Sequence, residues 1–375
     1  MELNSVINGD AIEEMKKMPD DSIDLIFADP PYWMRTKNSP LKRVEGTIFD
    51  GVYENWDVFS TLDDYNRFTE KWLFEARRIL KKNGSIWVIC GMQCIHSIGF
   101  LMQKLGFWII NEVIWQKSNP TPNFMGTRLN NSHETLIWAT KSKNSKYTFN
   151  YKTAKELNVF SVESAKFKSG VRRQLGSIWK LPVSSGLERL KDDFGQKLHS
   201  TQKPFKLLYL VLAISSKVDQ IILDPFAGTM TTAAAAKSMG RKFIMIERET
   251  KYCKYGKSRI DNIDENIGLI EKAVYDIKPP KVTLEEMINS EFLRSGEILY
   301  FKKSEKSAKL APNGRAIYNN EMYSIHELAA IFSSRNAKRL NGFDYFMVKR
   351  EVGLRSLKEI RSEYRREVHG WGDEQ

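Results

Sequence analysis

The chain has 375 residues, 42% of them hydrophobic, and a formal net charge of +12. That length allows one large domain plus a smaller one, and the composition supports a globular core. No apolar run approaches the ~18 residues of a membrane span, and the three cysteines form no Cys-x-x-Cys pair, which argues against a disulfide scaffold and against structural zinc. The opening Met1-Glu2-Leu3-Asn4 has no basic and apolar leader. A cytoplasmic protein with no membrane and no metal is therefore expected. The charge is unevenly spread. Over residues 117–203, sixteen Lys and Arg face six Asp and Glu, an excess of ten, whereas over residues 281–375 the excess is three. A concentrated basic surface is what phosphate neutralisation requires.

Val6-Ile7-Asn8-Gly9-Asp10-Ala11 reads as a short strand, a turn and a helix start, with Asp10 capping the helix that carries Ile12, Met15 and Met18. Residues 22–28 are an apolar run that reads as a buried strand. Asp29-Pro30-Pro31-Tyr32 follows. The two prolines stop the ladder and fix the backbone just beyond the strand's carboxyl end, which is where open α/β sheets bind ligands. An acid, two rigid carbonyls and an aromatic ring suit a flat ring carrying an amino group. The Asp29 carboxylate and the Pro30 carbonyl each accept one N–H, and Tyr32 stacks on the ring. Residues 33–56, with Lys37 and Arg43, lack periodicity and read as a mobile lid over that site. Residues 63–80 form an amphipathic helix ended by Asn83-Gly84. Its aromatic stripe, Tyr65, Phe68 and Trp72, reads as core. Residues 85–90 are the next buried strand.

Residues 111–117 are a further strand. The stretches 118–124 and 128–134 are polar and proline-rigid, and contain Asn123, Arg128, Asn131, Ser132 and His133. His133 suits a ligand contact or a structural bond to a backbone group, and carries no proton-transfer assignment. Residues 141–198, with Arg172 and Arg173, are basic and weakly periodic, and read as an inserted binding region outside the sheet core. The helix over 205–214 has Ser200 or Thr201 as its N-cap and Lys203 near its start. Residues 220–224 form a strand, Pro225 to Thr232 a Gly-containing turn, and 233–239 a helix closed by Gly240. Strand, glycine turn and helix make a nucleotide site, yet the sequence is neither Gly-x-Gly-x-x-Gly nor a P-loop. The next strand, 241–247, ends in Glu247, an acid placed for ribose hydroxyls. A helix over 252–260 follows. Pro279-Pro280 reads as a linker. Beyond it, 293–301 and 342–348 are strand-like, 324–333 is a helix with a Ser324/Glu327 capping box, and 356–367 is an Arg-rich helix.

Asp29-Pro30-Pro31-Tyr32 resembles the catalytic motif of amino-group methyltransferases. Asp in first place is similar to the adenine-modifying enzymes, whereas many cytosine 4-amino enzymes carry Ser there. Phe226-x-Gly228 resembles the S-adenosylmethionine motif but departs from it at Met230, where the family usually has Gly, which leaves the tightness of that turn open. The order of motifs is that of the permuted β class. Asn313-Gly314, Ser324-Ile325-His326 and Asn341-Gly342 resemble the tail of the cell-cycle and HinfI-type adenine methyltransferases, which modify GANTC. The implied fold is a Rossmann-like α/β methyltransferase sheet, mostly parallel and doubly wound, over residues 1–278. Within it, 141–198 is a DNA target-recognition insertion, and 281–375 is a small α+β domain that engages DNA.

The resemblance also implies residues. S-adenosylmethionine is the expected cofactor, touched by Asp10, Ala11, Asp29, Thr201, Lys203 (towards its carboxylate), Asp224, Phe226, Ala227, Gly228, Thr229, Thr231 and Glu247. Asp29, Pro30, Pro31 and Tyr32 carry catalysis on a flipped base. Double-stranded DNA is the expected partner, met by Lys37, Arg43, Asn123, Arg128, Asn131, Ser132, His133, Arg172 and Arg173, and in the tail by Arg335, Lys338, Arg339 and Asn341. A homodimer in a bacterial cytoplasm, acting at the nucleoid, is expected. A cytosine 4-amino methyltransferase and a catalytically silent DNA-binding module are the alternatives. Carbon-5 chemistry is disfavoured, because the residues before the three cysteines are Ile89, Gln93 and Tyr252 and none is Pro.

Overall fold

The computed structural model describes residues 1–33, 41–42, 48–49, 57–122, 127–158, 174–263, 279–302, 304–333, 337–351 and 353–370, with backbone alone at 41–42 and 48–49. Two compact units divide the chain, Met1–Asp276 and Ile277–Gln375. The first begins with β1 (Ser5–Asn8), α1 (Ala11–Lys16) and β2 (Ile23–Ala28). A separate two-stranded ladder follows, β3 (Leu41–Lys42) with β4 (Ile48–Phe49). Next come α2 (Leu62–Ile79), β5 (Leu80–Cys90), α3 (Ile95–Lys104), β6 (Trp108–Lys117) and β7 (His133–Thr140). The unit is completed by α4 (Tyr151–Glu156), β8 (Ile178–Leu181), α5 (Phe205–Ser215), β9 (Ile221–Asp224), α6 (Thr231–Ser238), β10 (Lys242–Glu247) and α7 (Thr250–Asp261).

Eight strands form one sheet in the order β1-β10-β9-β2-β5-β7-β6-β8. Every pairing is parallel except the two that β7 makes. The chain leaves β2 through α2 towards β5, and leaves β9 through α6 towards β10, in the opposite direction. Adjacent strands β2 and β9 therefore flank the topological switch point, the crevice in which α/β sheets bind ligands. Asp29 follows β2 there, and Asp224 ends β9.

Period-two alternation distributes the strand residues between two cores. Leu25, Phe27, Trp87, Ile89 and Met245 share one face with Leu208 and Val211 of α5 and Ala233 of α6. Ile26, Ala28, Val88, Leu223 and Ile244 share the other with Met15 of α1, Trp72 of α2 and Ile98 of α3. Each large apolar side chain buried this way contributes roughly 1.5–3 kcal/mol. Helix α5 is apolar on all sides, and every residue from Leu207 to Ser215 is buried, as a helix enclosed within a layer requires. No helix among the described residues is long and apolar enough to cross a membrane.

Three local expectations are corrected. Helix α2 ends at Ile79 with Leu80 already extended, not at Asn83-Gly84. Pairing starts at Ile23 with Leu80 and resumes at Leu25 with Ser85, so the Asn-Gly pair sits in an irregularity of β5. The basic insertion is not wholly outside the sheet core. It supplies the edge strand β8, whose Trp179 and Leu181 are buried while Ile178 is 61% exposed. Neither Ser200 nor Thr201 caps α5. Pro204 takes that place with no side-chain bond, and the Glu188 carboxylate, seventeen residues upstream, accepts the Phe205 N–H. An acid there also meets the positive end of the helix.

The second unit is α+β. Its antiparallel sheet runs Glu321–Tyr323, Ala316–Tyr318, Ser307–Leu310, Ile298–Phe301, Phe346–Arg350, Gly353–Ser356. The helices Leu284–Asn289, Ile325–Ser333 and Leu357–His369 each begin at a reciprocal cap, with Ser324 and Glu327 paired as expected. The strand-like reading of 342–348 is half right. Gly342–Asp344 is a 3₁₀ turn and the strand starts at Phe346.

Candidate active site

Asp29 stands just past the end of β2, largely buried. Its Oδ2 pairs with Lys203 Nζ at 2.7 Å, and its Oδ1 is buried with no hydrogen-bond partner among the described residues. Lys203 Nζ also lies 5.0 Å from the Tyr32 ring centroid and 3.8 Å from Glu134 Oε2. The Tyr32 hydroxyl donates to Glu134 Oε2 at 2.9 Å, and Glu134 Oε1 pairs with Lys117 Nζ at 2.7 Å. Two carboxylates and two ammonium groups are thus enclosed together.

Their titration follows from that enclosure. Burial pushes the Asp29 carboxyl up, with Lys203 pulling the other way. Burial opposes the Lys203 ammonium, but Asp29 and Glu134 more than offset it and raise the group. Burial also opposes the Glu134 carboxylate, yet Lys203 and Lys117 hold it below its ordinary value. The Tyr32 hydroxyl is driven well up, by burial first and then by Asp29 and Glu134, and stays protonated.

The backbone of the tetrapeptide is tied from outside. The Tyr65 hydroxyl donates to the Pro31 carbonyl at 3.0 Å and the Cys94 thiol to the Tyr32 carbonyl at 2.9 Å. Trp33, at φ +47°, donates its N–H to Asp57 at 2.6 Å. No bond reaches the Pro30 carbonyl from the described residues. Two acceptors, Asp29 Oδ1 and the Pro30 carbonyl, are therefore left unused at neighbouring positions.

Across the switch point lies the turn after β9. Asp224 closes it, with Oδ1 accepting the Phe226 N–H at 3.0 Å and Oδ2 the Thr232 hydroxyl at 2.5 Å. Burial pushes the Asp224 carboxyl up to about 7, against the lowering effect of those two bonds. Gly228 has φ +48°, a backbone shape that favours glycine. Its N–H donates to Glu247 Oε2 at 2.8 Å, while Glu247 Oε1 accepts the Glu249 N–H at 2.8 Å. The Phe226 ring meets Trp72 edge-on at 5.4 Å. Met230 also takes a left-handed φ of +62°, which costs roughly 1–2 kcal/mol for a residue with a Cβ. Its side chain fills the space over Gly256 of α7, where a Cβ would come within 2.2 Å of Met230 Cγ. Arg259, also on α7, donates to the Thr229 carbonyl at 3.2 Å and to Thr231 Oγ1 at 3.1 Å. The turn stays tight at Met230 because α7 makes room for it.

Tetrapeptide and turn line one cavity of about 270 Å³. All of the residues expected to touch a cofactor are in its wall, as are Pro30, Pro31 and Tyr32. A buried acceptor with no partner among the described residues and an acid at the end of β10 fit a ligand bearing both an amino group and ribose hydroxyls. Lys203 lines the cavity with its ammonium on Asp29. Phe68, expected in the core, lines the cavity too, together with Val58, Phe59, His199, Gln202 and Tyr252. Burial and the nearby Lys203 and Arg189 push the His199 imidazole down to about 3, so it is neutral. Glu134 and Lys117 went unnoticed in the sequence, because no local motif marks them; only the register of β6 against β7 brings them to this edge.

Of the residues expected at DNA, the described ones of the first unit are not in the cavity wall. Arg128, Asn131 and His133 are exposed and Ser132 half-buried just before or at the start of β7, and Arg128 donates to Asn131 at 3.0 Å. Lys338, Arg339 and Asn341 are exposed in the second unit, with Asn341 bonded to Asp344 at 2.7 Å. Lys37, Arg43, Asn123, Arg172, Arg173 and Arg335, and nearly all of the expected lid over 33–56, lie outside the described residues. Among the described residues no cluster of His, Cys, Asp or Glu could hold a metal ion.

Comparison with known proteins gives a consistent picture. A family model described as DNA methylase matches residues 23–258. Type II methyltransferase M.HinfI of Haemophilus influenzae is 46% identical over 362 residues, 96% of this chain and 97% of its own length. Type II methyltransferase M2.LlaDCHI of Lactococcus lactis subsp. cremoris is 35% identical over 257 residues, 68% of this chain and 88% of its own. Among solved structures, the PvuII DNA methyltransferase (cytosine-N4-specific) superposes with a TM-score of 0.51 at 18% identity, covering 72% of this chain and 91% of its own, and shares the fold.

Two outcomes are expected from this geometry. Gly256→Ala destabilises the protein by about 1–3 kcal/mol in urea melts, despite the roughly 1 kcal/mol that Ala gains over Gly in a helix. Adding Met230→Gly restores most of the loss, and a single variant as stable as the parent refutes the packing. Asp224 sets a pH dependence. Its folded value of about 7 lies above the ordinary 3.8, so its contribution to stability is complete below about pH 4 and lost as pH rises through about 7. The stability of the parent relative to Asp224→Asn should decline between about pH 4 and pH 7. A difference that stays flat over that range sinks the assignment.

Proposed function

This chain belongs to the N6/N4 DNA methylase family, and on that premise we propose that it moves a methyl group from S-adenosylmethionine to the 6-amino group of an adenine flipped out of duplex DNA, within GANTC. The observation that carries the reading is the buried Asp29 Oδ1, which like the Pro30 carbonyl has no hydrogen-bond partner among the described residues and shares one cavity with the Gly228 turn. An exocyclic amino group brings two N–H donors to those two acceptors. Its nitrogen is a weak nucleophile, because the lone pair is delocalised into the ring. Asp29 and the Pro30 carbonyl favour its pyramidal form and stabilise the positive charge that develops on it. Removing one such aimed group costs about 2.7–4 kcal/mol of barrier. Bound S-adenosylmethionine supplies the electrophilic methyl group. Glu247, at the end of β10, and the Gly228 turn hold the ribose side of that ligand. Unstacking the target costs a few kcal/mol, and stacking on an aromatic ring such as that of Tyr32 returns about 1–3 kcal/mol.

Adenine is favoured over cytosine by the Asp in first place of the tetrapeptide. GANTC is supported by the resemblance of the tail and by the 46% identity to a type II methyltransferase along nearly the whole chain. The same kinship supports a modification enzyme of a bacterial cytoplasm that acts at the nucleoid. The basic segment 141–198 and the second unit are the parts that engage duplex DNA, and a homodimer is the assembly.

Modification-sensitive sequencing of DNA from cells expressing the chain should show methylated adenine at GANTC. Asp29→Ala should abolish that signal while calorimetry still finds nearly full cofactor binding. Methylcytosine in the product, or an active Asp29→Ala, refutes the reading. For the tail, a chain ending before Pro280 should bind the cofactor yet fail on duplex GANTC. Full activity of that chain removes the tail from DNA recognition, and light scattering that finds only monomer removes the dimer.

A further inference from the structure

Two buried carboxylates share the reactive edge, and only Asp29 belongs to the tetrapeptide. Glu134 is the second residue of β7. Because β7 runs against its neighbours, its start lies beside the carboxyl ends of β5 and β6, with Thr135 opposite Cys90 and His133 opposite Gln116. The Glu134 side chain is 13% exposed and keeps three partners, the Tyr32 hydroxyl, Lys203 and Lys117. An acid withdrawn from water is retained only when it is paired, and nothing in the transfer step as derived so far uses this one.

We propose that Glu134 is a positioning residue for methyl transfer, holding Tyr32 in place and drawing part of the Lys203 charge away from Asp29, which faces the target amine. The inference rests on the methyl-transfer reading above. Lys203 alone on Asp29 makes a neutral pair, and a neutral pair stabilises a developing cation weakly. Asp29 and Glu134 instead share the ammonium, at 2.7 Å and 3.8 Å. Lys117, at 2.7 Å on the far oxygen of Glu134, keeps that second carboxylate ionised.

Glu134→Gln tests this, since it keeps the shape and an acceptor for Tyr32 and removes only the charge. In the full-length chain, kcat on duplex DNA should fall by about ten- to a hundredfold, the range of a displaced catalytic group. Cofactor Kd should hold, whereas Tm should fall, because Lys117 and Lys203 lose a charged partner. The acid limb of the pH–kcat profile should move to lower pH. Asp29 must be ionised, and Glu134 is one of the groups that raise it. The other charged or titratable groups around Asp29 are Lys203, Tyr32, Cys90 and Asp224, and the variant leaves them in place. Lys117→Met should lower kcat in the parent and add little to Glu134→Gln. Parental kcat with an unmoved limb in Glu134→Gln overturns the proposal. So does a fall in kcat matched by an equal loss of cofactor binding, which marks a structural tie alone. If the parent chain transfers no methyl to DNA, the reading of function has failed and this inference falls with it.

Discussion

A carboxylate that must act away from water needs a cation close by, and much of the first unit is arranged around that need. Asp29 is local to β2, but Lys203 comes from the segment before α5, Glu134 from the start of β7 and Lys117 from the end of β6. Removing one partner from such a buried pair costs about 3–5 kcal/mol, so the elements that carry them are held in register by more than apolar packing. The doubly wound order supplies the meeting place. Carboxyl ends of β2 and β9 adjoin, and the reversed β7 delivers its first residues to the same edge. Charge balance inside the cavity is in this sense a property of the sheet topology.

Much of this was legible in the sequence where the physics is local. The tetrapeptide, the Gly228 turn, Glu247 and Asp10 each sit at a strand end or helix start that alternation and capping chemistry mark within a few residues, and all of them line the cavity. What was not legible depends on register or on distant partners. Glu134 sits in an unremarkable His-Glu pair until β6 and β7 are aligned. The cap of α5 comes from Glu188 rather than from the adjacent Ser200 or Thr201, because Pro204 fixes the backbone at that end. The edge strand β8 hides in a basic stretch, as only Trp179 and Leu181 of its four residues face inward. Phe68 reads as core because its spacing matches Tyr65 and Trp72, and spacing cannot tell the end of a stripe that faces a cavity from the part that is covered.

The Gly228 turn shows how a departure from a motif is absorbed. A side chain at Met230 in a left-handed conformation would ordinarily loosen the turn, yet Met230 is fully buried. Helix α7 lacks a side chain at Gly256 and sends Arg259 to the flanking threonines. Burying a methionine contributes roughly 1.5–3 kcal/mol, which offsets the cost of the backbone. Substitution and compensation lie twenty-six positions apart in the chain.

The reversal of β7 places a strand start, not a strand end, at the reactive edge. Parallel strands end at the reactive edge and then run out into whatever loop follows. β7 begins there, so the loop that precedes it is upstream of a register already fixed by β5 on one side and β6 on the other. Ser132 is still tied to that register, its carbonyl accepting the Lys117 N–H at 2.8 Å, while Arg128 and Asn131 stand exposed before it. The acid that holds Tyr32 is thus fixed by the sheet itself, as the second residue of the strand, and not by the loop that leads to it.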